Sequence, residues 1–185
     1  MKSLLLLIAA FVFLFPTDPP CFGQEEKKES KPIELEVLAS YVGVWDAEVE
    51  VWSRGPDAPT YKFNGVETNR LYGKHWISSD FEFMNQRIHA IMGYDLDKKK
   101  MVGMIIDHGP YAANMIGDFD KDSKTVHWIT KGKEIDGKPL VQKTSIEQVN
   151  DDERILVLSV PGKKEGEFTK FMQIKFTKRK SKSSK

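Results

Sequence analysis

Gly43-Val44-Trp45-Asp46-Ala47-Glu48-Val49-Glu50-Val51 is the stretch on which the fold class turns. Trp45, Ala47, Val49 and Val51 alternate with Asp46, Glu48 and Glu50. Successive side chains of a strand point to opposite faces, so this period of two predicts a strand with one buried face. Gly55, Pro56 and Pro59 end it. The rhythm then repeats along the chain. Tyr61 to Leu71, Trp76 to Met84, Gln86 to Tyr94, Lys100 to Asp107 and Tyr111 to Phe119 are predicted strands. Lys124 to Lys131, Leu140 to Val149, Arg154 to Val160 and Phe168 to Lys178 complete the set. Turn residues separate them: Gly73, Asp95-Leu96-Asp97-Lys98, Gly109-Pro110, Asp120 to Ser123, and Asp136-Gly137. About ten strands at a spacing of roughly ten residues is the rhythm of an antiparallel sandwich or barrel. No segment after Ser40 sustains a helical period, and no βαβ alternation appears, which excludes a nucleotide-binding α/β fold. One helical segment precedes the strands. Ile33 to Ser40 places Leu35 and Leu38 on one face, and a helix of that length must pack against the strands to be stable.

The chain has 185 residues, room for one ordinary domain. Hydrophobic residues make up 40% and charged residues 30%, which excludes a polytopic membrane protein and a wholly disordered chain. A net charge of +1 argues against a dedicated nucleic-acid binder. The single cysteine excludes an intramolecular disulfide and a thiolate-rich metal cluster.

The N-terminus reads as an export signal. Lys2 precedes an apolar run from Leu4 to Phe15, too short to cross a bilayer, and Pro16, Pro19 and Pro20 break it. Cys21 and Gly23 are the small residues that place a cut after Gly23, so residues 1–23 are a signal peptide. Acylation at Cys21 is the rival, but Pro19 and Pro20 stand where a lipobox needs small residues. Residues 24–32 form a charged spacer, 33–179 the folded domain, and 180–185 a basic tail. That boundary predicts an exported protein, periplasmic or secreted, whose mature chain has no cysteine and no transmembrane helix.

Gly43-Val44-Trp45 comes after the short helix and opens the first strand. Glycine allows a close turn under a barrel, and tryptophan plugs the opening. On this motif and its placement, the chain resembles the lipocalin-like (calycin) barrels. In those a G-x-W opens the first strand and a basic residue from the last strand packs over the tryptophan. Lys178, on the parity of Met172, Ile174 and Phe176, and Arg179 are the residues the resemblance offers here. More narrowly, the chain resembles an uncharacterised bacterial family of exported lipocalin-like domains. The matching stretches are Tyr41 to Trp45, Gly73-Lys74-His75-Trp76, Gly93-Tyr94-Asp95 and Met101 to Asp107. The resemblance spans about Leu35 to Arg179 and implies an all-β, up-and-down antiparallel barrel of about ten strands with a short N-terminal helix. It implies no activity. His108 and Met104 depart from it, at a corner where a small and an aromatic residue are expected.

Candidate chemistry is sparse. His75, His89, His108 and His127 include no i, i+2 pair, so a zinc site would need convergence from several strands. Haem would need one axial histidine, for which His75, His89 and His127 are open. Asp107 and His108 are adjacent and face opposite ways on a strand. Asp118 to Asp122 imitates half of a calcium loop, but Ser123 replaces the turn glycine and Ile129 the bidentate glutamate, which leaves an acidic hairpin. Glu67 has two readings. Unbroken alternation from Tyr61 and Phe63 points it inward as a polar handle; a bulge at Gly65 turns it outward, and the bulge is the reading preferred. Methionines crowd the middle strands, and methionine conforms to varied shapes. Phe81, Met92, Met104 and Met115, with Glu67, are the candidate ligand wall; Gly43, Trp45, Lys178 and Arg179 are the structural cap. The expected role is a non-enzymatic binder of a small apolar molecule, with no cofactor assigned. The alternatives are an envelope interaction module with a filled barrel, and a haem-binding or enzymatic barrel.

Overall fold

A computed structural model describes residues 31–53, 59–107, 109, 111–135 and 138–180. The signal peptide with Cys21, nearly all of the spacer, His108, Asp136-Gly137 and the last five residues lie outside the described residues.

The helix α1 (Ile33–Ser40) leads into ten strands. They are β1 (Gly43–Val51), β2 (Tyr61–Tyr72), β3 (Trp76–Phe83), β4 (Gln86–Asp95), β5 (Lys100–Ile106), β6 (Ala112–Asp120), β7 (Thr125–Ile135), β8 (Lys138–Asn150), β9 (Glu153–Pro161) and β10 (Phe168–Lys178). Each strand pairs antiparallel with the next, and β1 closes on β10. The chain is therefore a closed up-and-down barrel, the architecture that leaves no open sheet edge.

Closure arises from the two cleanest alternations in the sequence. β1 and β10 pair from Trp45 opposite Lys178 to Val51 opposite Met172. Trp45, Ala47 and Val49 are buried with Ile174 and Phe176 on the inside. Glu48 stands opposite Lys175 on the outside, a favourable cross-strand charge pair.

α1 closes one end. Leu38 and Tyr41 pack with Ile77, Met92, Met101 and Val126 inside the barrel. The Tyr41 carbonyl accepts hydrogen bonds from Trp45 Nε1 at 2.8 Å and Asn69 Nδ2 at 3.0 Å. Two barrel side chains thus satisfy a carbonyl that the end of the helix would leave unpaired. At the turn between β4 and β5, Asp95 Oδ1 accepts from the backbone N–H groups of Asp97 and Lys98, as the turn reading expects. The acidic segment after β6 is a hairpin turn, with Asp120 accepting from the Asp122 N–H and the Ser123 hydroxyl.

Two expectations are corrected. No bulge interrupts β2. Its pairing runs without a shift against β1 and against β3, so Phe63, Gly65, Glu67 and Asn69 share the inner face and Glu67 is buried. Gly65 serves close packing instead. A Cβ there would lie 2.7 Å from the Phe81 ring and 2.9 Å from the Glu82 carbonyl oxygen. Met104, expected on the inner wall, faces outward and is 43% exposed. Gly103 is opposite both Met92 and Met115, and its missing side chain leaves the space those two methionines enter. With Gly103 inside, the period of two puts Met104 outside.

Gly65→Ala is expected to destabilise the barrel by about 1–3 kcal/mol, because a methyl group must displace the Phe81 ring or the backbone of β3. A lower urea midpoint at unchanged slope is the signature. An unchanged midpoint would contradict the contact.

Candidate functional site

The most buried large side chains gather at the capped end, and one of them is charged. Arg154, near the start of β9, is 2% exposed. Its guanidinium carbon lies 4.5 Å from the Tyr41 ring centroid, 4.5 Å from that of Trp45 and 4.4 Å from that of Phe176. Three aromatic faces therefore surround one cation, at separations where ring quadrupoles attract it. An Arg154 Nη also contacts the Glu67 carboxylate, forming a buried ion pair. Glu67 accepts further hydrogen bonds from Asn69 Nδ2 at 2.7 Å and from the Ser79 hydroxyl at 3.2 Å. A buried carboxylate needs such partners, and β2, β3 and β9 each supply one. Burial pulls the Arg154 guanidinium down to about 10, which still leaves it cationic at neutral pH. Burial pushes the Tyr41 phenol up to about 12, and the Arg154 charge only partly opposes this.

The expected cap is modified by this arrangement. Lys178 does reach over Trp45, with Nζ 5.1 Å from its ring centroid and 3.5 Å from the Ser40 carbonyl. It lies farther from the ring than Arg154 does. Arg179 takes no part. It has the opposite parity, lies outside the barrel, and binds Asp46 through Nε at 2.8 Å and Nη2 at 2.5 Å.

Above Glu67 the barrel is hollow. A cavity of about 380 Å³ runs from the Glu67–Ser79 floor toward the end away from α1. Phe81, Met92 and Met115 line it, together with Phe63, Leu158 and Met172. Phe63 stacks on Phe83 at 5.4 Å and Phe83 on Phe81 at 5.1 Å, which makes one wall aromatic. Polar groups are few: Glu67, Ser79, Thr130, Gln142 and Thr144 on the wall, and Asp107 and Tyr111.

No described histidine lines the cavity. His89 is outside, with Nδ1 2.9 Å from Asp80 Oδ1 in a cluster that includes Arg70 and Arg87. Burial alone would raise the Asp80 carboxyl, but the His89 hydrogen bond and the Arg87 charge hold it below the usual range. His127 is exposed, and His75 sits half-buried at the corner before β3. Among the described residues no group of three potential metal ligands converges.

Arg154 and Asn69 were not legible as site residues. Arg154 precedes Ile155-Leu156-Val157-Leu158, a run apolar on both faces that hides parity. The one available signal is that Arg154 shares the parity of Leu156, which packs inside.

Arg154→Met is expected to lose about 3–5 kcal/mol in chemical denaturation, because it removes the counter-ion of the buried Glu67 carboxyl group. The double change Arg154→Met/Glu67→Leu is expected to regain most of that loss. Additive losses would show that the two groups act independently. Tyr41 carries its own test. Its folded value is raised, so its stabilising contribution is intact below about pH 10 and is lost as pH rises toward 12. In an absorbance titration a late phenol step is expected, and it should vanish in Tyr41→Phe.

Among the described residues no helix is long and apolar enough to cross a membrane. No curated protein matches the chain in sequence. Among solved structures, the barrel is similar to that of Rv2717c from M. tuberculosis. That match has a TM-score of 0.56 at 9% identity and covers 79% of this chain and 97% of the other, a likeness of fold alone. The family model described as "Protein of unknown function (DUF1579)" matches residues 32–178, which runs from the residue before α1 to the end of β10, and the chain belongs to that family.

Proposed function

We propose that this protein is an exported, non-enzymatic binder of one small apolar molecule, held in the barrel above Glu67. The observation that carries the reading is the cavity: about 380 Å³, walled mainly by aromatic, aliphatic and methionine side chains. That volume is in the range of small-molecule pockets and holds about 15 non-hydrogen atoms at interior packing density. The few polar groups suit orientation of a ligand rather than chemistry on it. Glu67 is held by three partners, Arg154, Asn69 and the Ser79 hydroxyl, which suits a fixed structural acceptor. Export rests on the leader-like composition of residues 1–23.

A second reading, an interaction module of the envelope, draws on the outer face of β4 to β7. Ile91 is paired with Met104 and Ile116 with Ile129, and all four are 40–45% exposed. An apolar cluster of that kind is a common mark of a contact surface. The two roles use opposite faces of the sheet.

Native mass spectrometry of the protein taken from its own cell envelope is expected to show one small molecule per chain. The purified protein should also raise the fluorescence of N-phenyl-1-naphthylamine at one site. Ala113→Trp, which sets a large ring in the cavity, should abolish that signal without unfolding the barrel. A protein that carries nothing and leaves the dye dark would overturn the binder reading.

A further inference from the structure

The cavity is asymmetric in charge. Its lining holds two carboxylates, Glu67 and Asp107, and among the described residues no lysine, arginine or histidine. The nearest cation, Arg154, stands behind the floor, enclosed by Tyr41, Trp45 and Phe176 and already paired with Glu67. The floor offers acceptors. Glu67 has about four lone-pair positions; Asn69 and Ser79 use two of them, and Arg154 stands against the carboxylate as its counter-ion. The Ser79 hydroxyl spends its proton on Glu67 and keeps its own lone pairs.

We infer that the ligand is an uncharged apolar molecule whose buried end carries a hydrogen-bond donor, a hydroxyl group above all, and that fatty-acid-like carboxylates are excluded. This rests on the binder reading. A carboxylate head at the floor would meet the acceptor oxygens of Glu67 first, with Arg154 behind them and already paired, and a buried charge without a partner is strongly disfavoured. An ammonium head at the floor fares little better, because Arg154 already neutralises Glu67 there, and Asp107, the other carboxylate of the lining, follows β5 at the far end of the cavity from the floor. A hydroxyl group needs no counter-ion. It can donate to an open lone pair of Glu67 or to Ser79, while its alkyl or ring body fills the space lined by Phe81, Met92 and Met115.

Three ligands that differ only in the head test this: 1-decanol, decanoate and decylammonium, each with a chain short enough for the cavity. They are titrated at pH 8 against the wild-type protein loaded with N-phenyl-1-naphthylamine. Decanol is expected to displace the dye at a concentration at least about tenfold below that of either ion. Decanoate displacing as well as or better than decanol overturns the inference while leaving the binder reading intact. Decylammonium matching or surpassing decanol also overturns it. If neither the dye nor any of the three binds, the binder reading itself falls, and this inference with it. The double variant Glu67→Gln/Arg154→Met removes both floor charges together. It is expected to narrow the preference for decanol over decanoate to less than about threefold. Should that variant fail to fold, the wild-type series decides alone.

Discussion

A single guanidinium inside a β-barrel organises the capped end of this molecule. Arg154 is held by the Glu67 carboxylate on one side and by the faces of Tyr41, Trp45 and Phe176 on others. Those residues come from β2, the end of α1, β1 and β10, while Arg154 itself comes from β9. One charged group therefore ties together the closing strands, their neighbours and the helix that stops the barrel. A cation buried this deeply is tolerable only with its counter-ion and its aromatic shell in place, so the pieces are mutually dependent. Asn69 links them further, donating from one amide nitrogen to both Glu67 and the Tyr41 carbonyl.

That arrangement also sets where the barrel is filled and where it is hollow. Below Glu67 the interior is occupied by the arginine, its aromatic neighbours and the apolar side of α1. Above it a cavity of about 380 Å³ remains. Phe81 leans over Gly65, and Met92 and Met115 lean over Gly103, each using space that a missing side chain provides. The result is a cavity with a polar floor and apolar walls, the usual composition of a small-molecule site. The balance of charge at that floor, more than its volume, limits the class of molecule it can accept.

The candidate wall was only partly legible, because the middle strands are apolar on both faces. Phe81, Met92 and Met115 line the cavity. Met104 does not, because Val102, Met104, Ile105 and Ile106 are apolar on both sides and no sequence period separates them. Register across three strands decides the matter, through Gly103 facing Met92 and Met115. Glu67 shows the converse. Glycine in a strand can mark a bulge or a close approach, and the sequence contains both possibilities at Gly65. The nearness of the Phe81 ring is the reason for close approach. Arg179 was misplaced for a simpler cause: it lies one residue beyond the inward-facing Lys178, and one residue is a change of face.

Local alternation and turn chemistry were enough by themselves to determine about ten antiparallel strands and the short helix before them, while a barrel rather than a sandwich was only what the resemblance carried by the G-x-W corner implied. Each depends on neighbours within a few residues, which is the range over which a strand's period and a turn's preferences act. The placement of Arg154 at the centre of the capped end, its pairing with Glu67 far away in the chain, and the hollow above them were decided only by tertiary structure. Those features depend on which strands become neighbours and in what register, and a buried charge declares itself only once its partner is beside it.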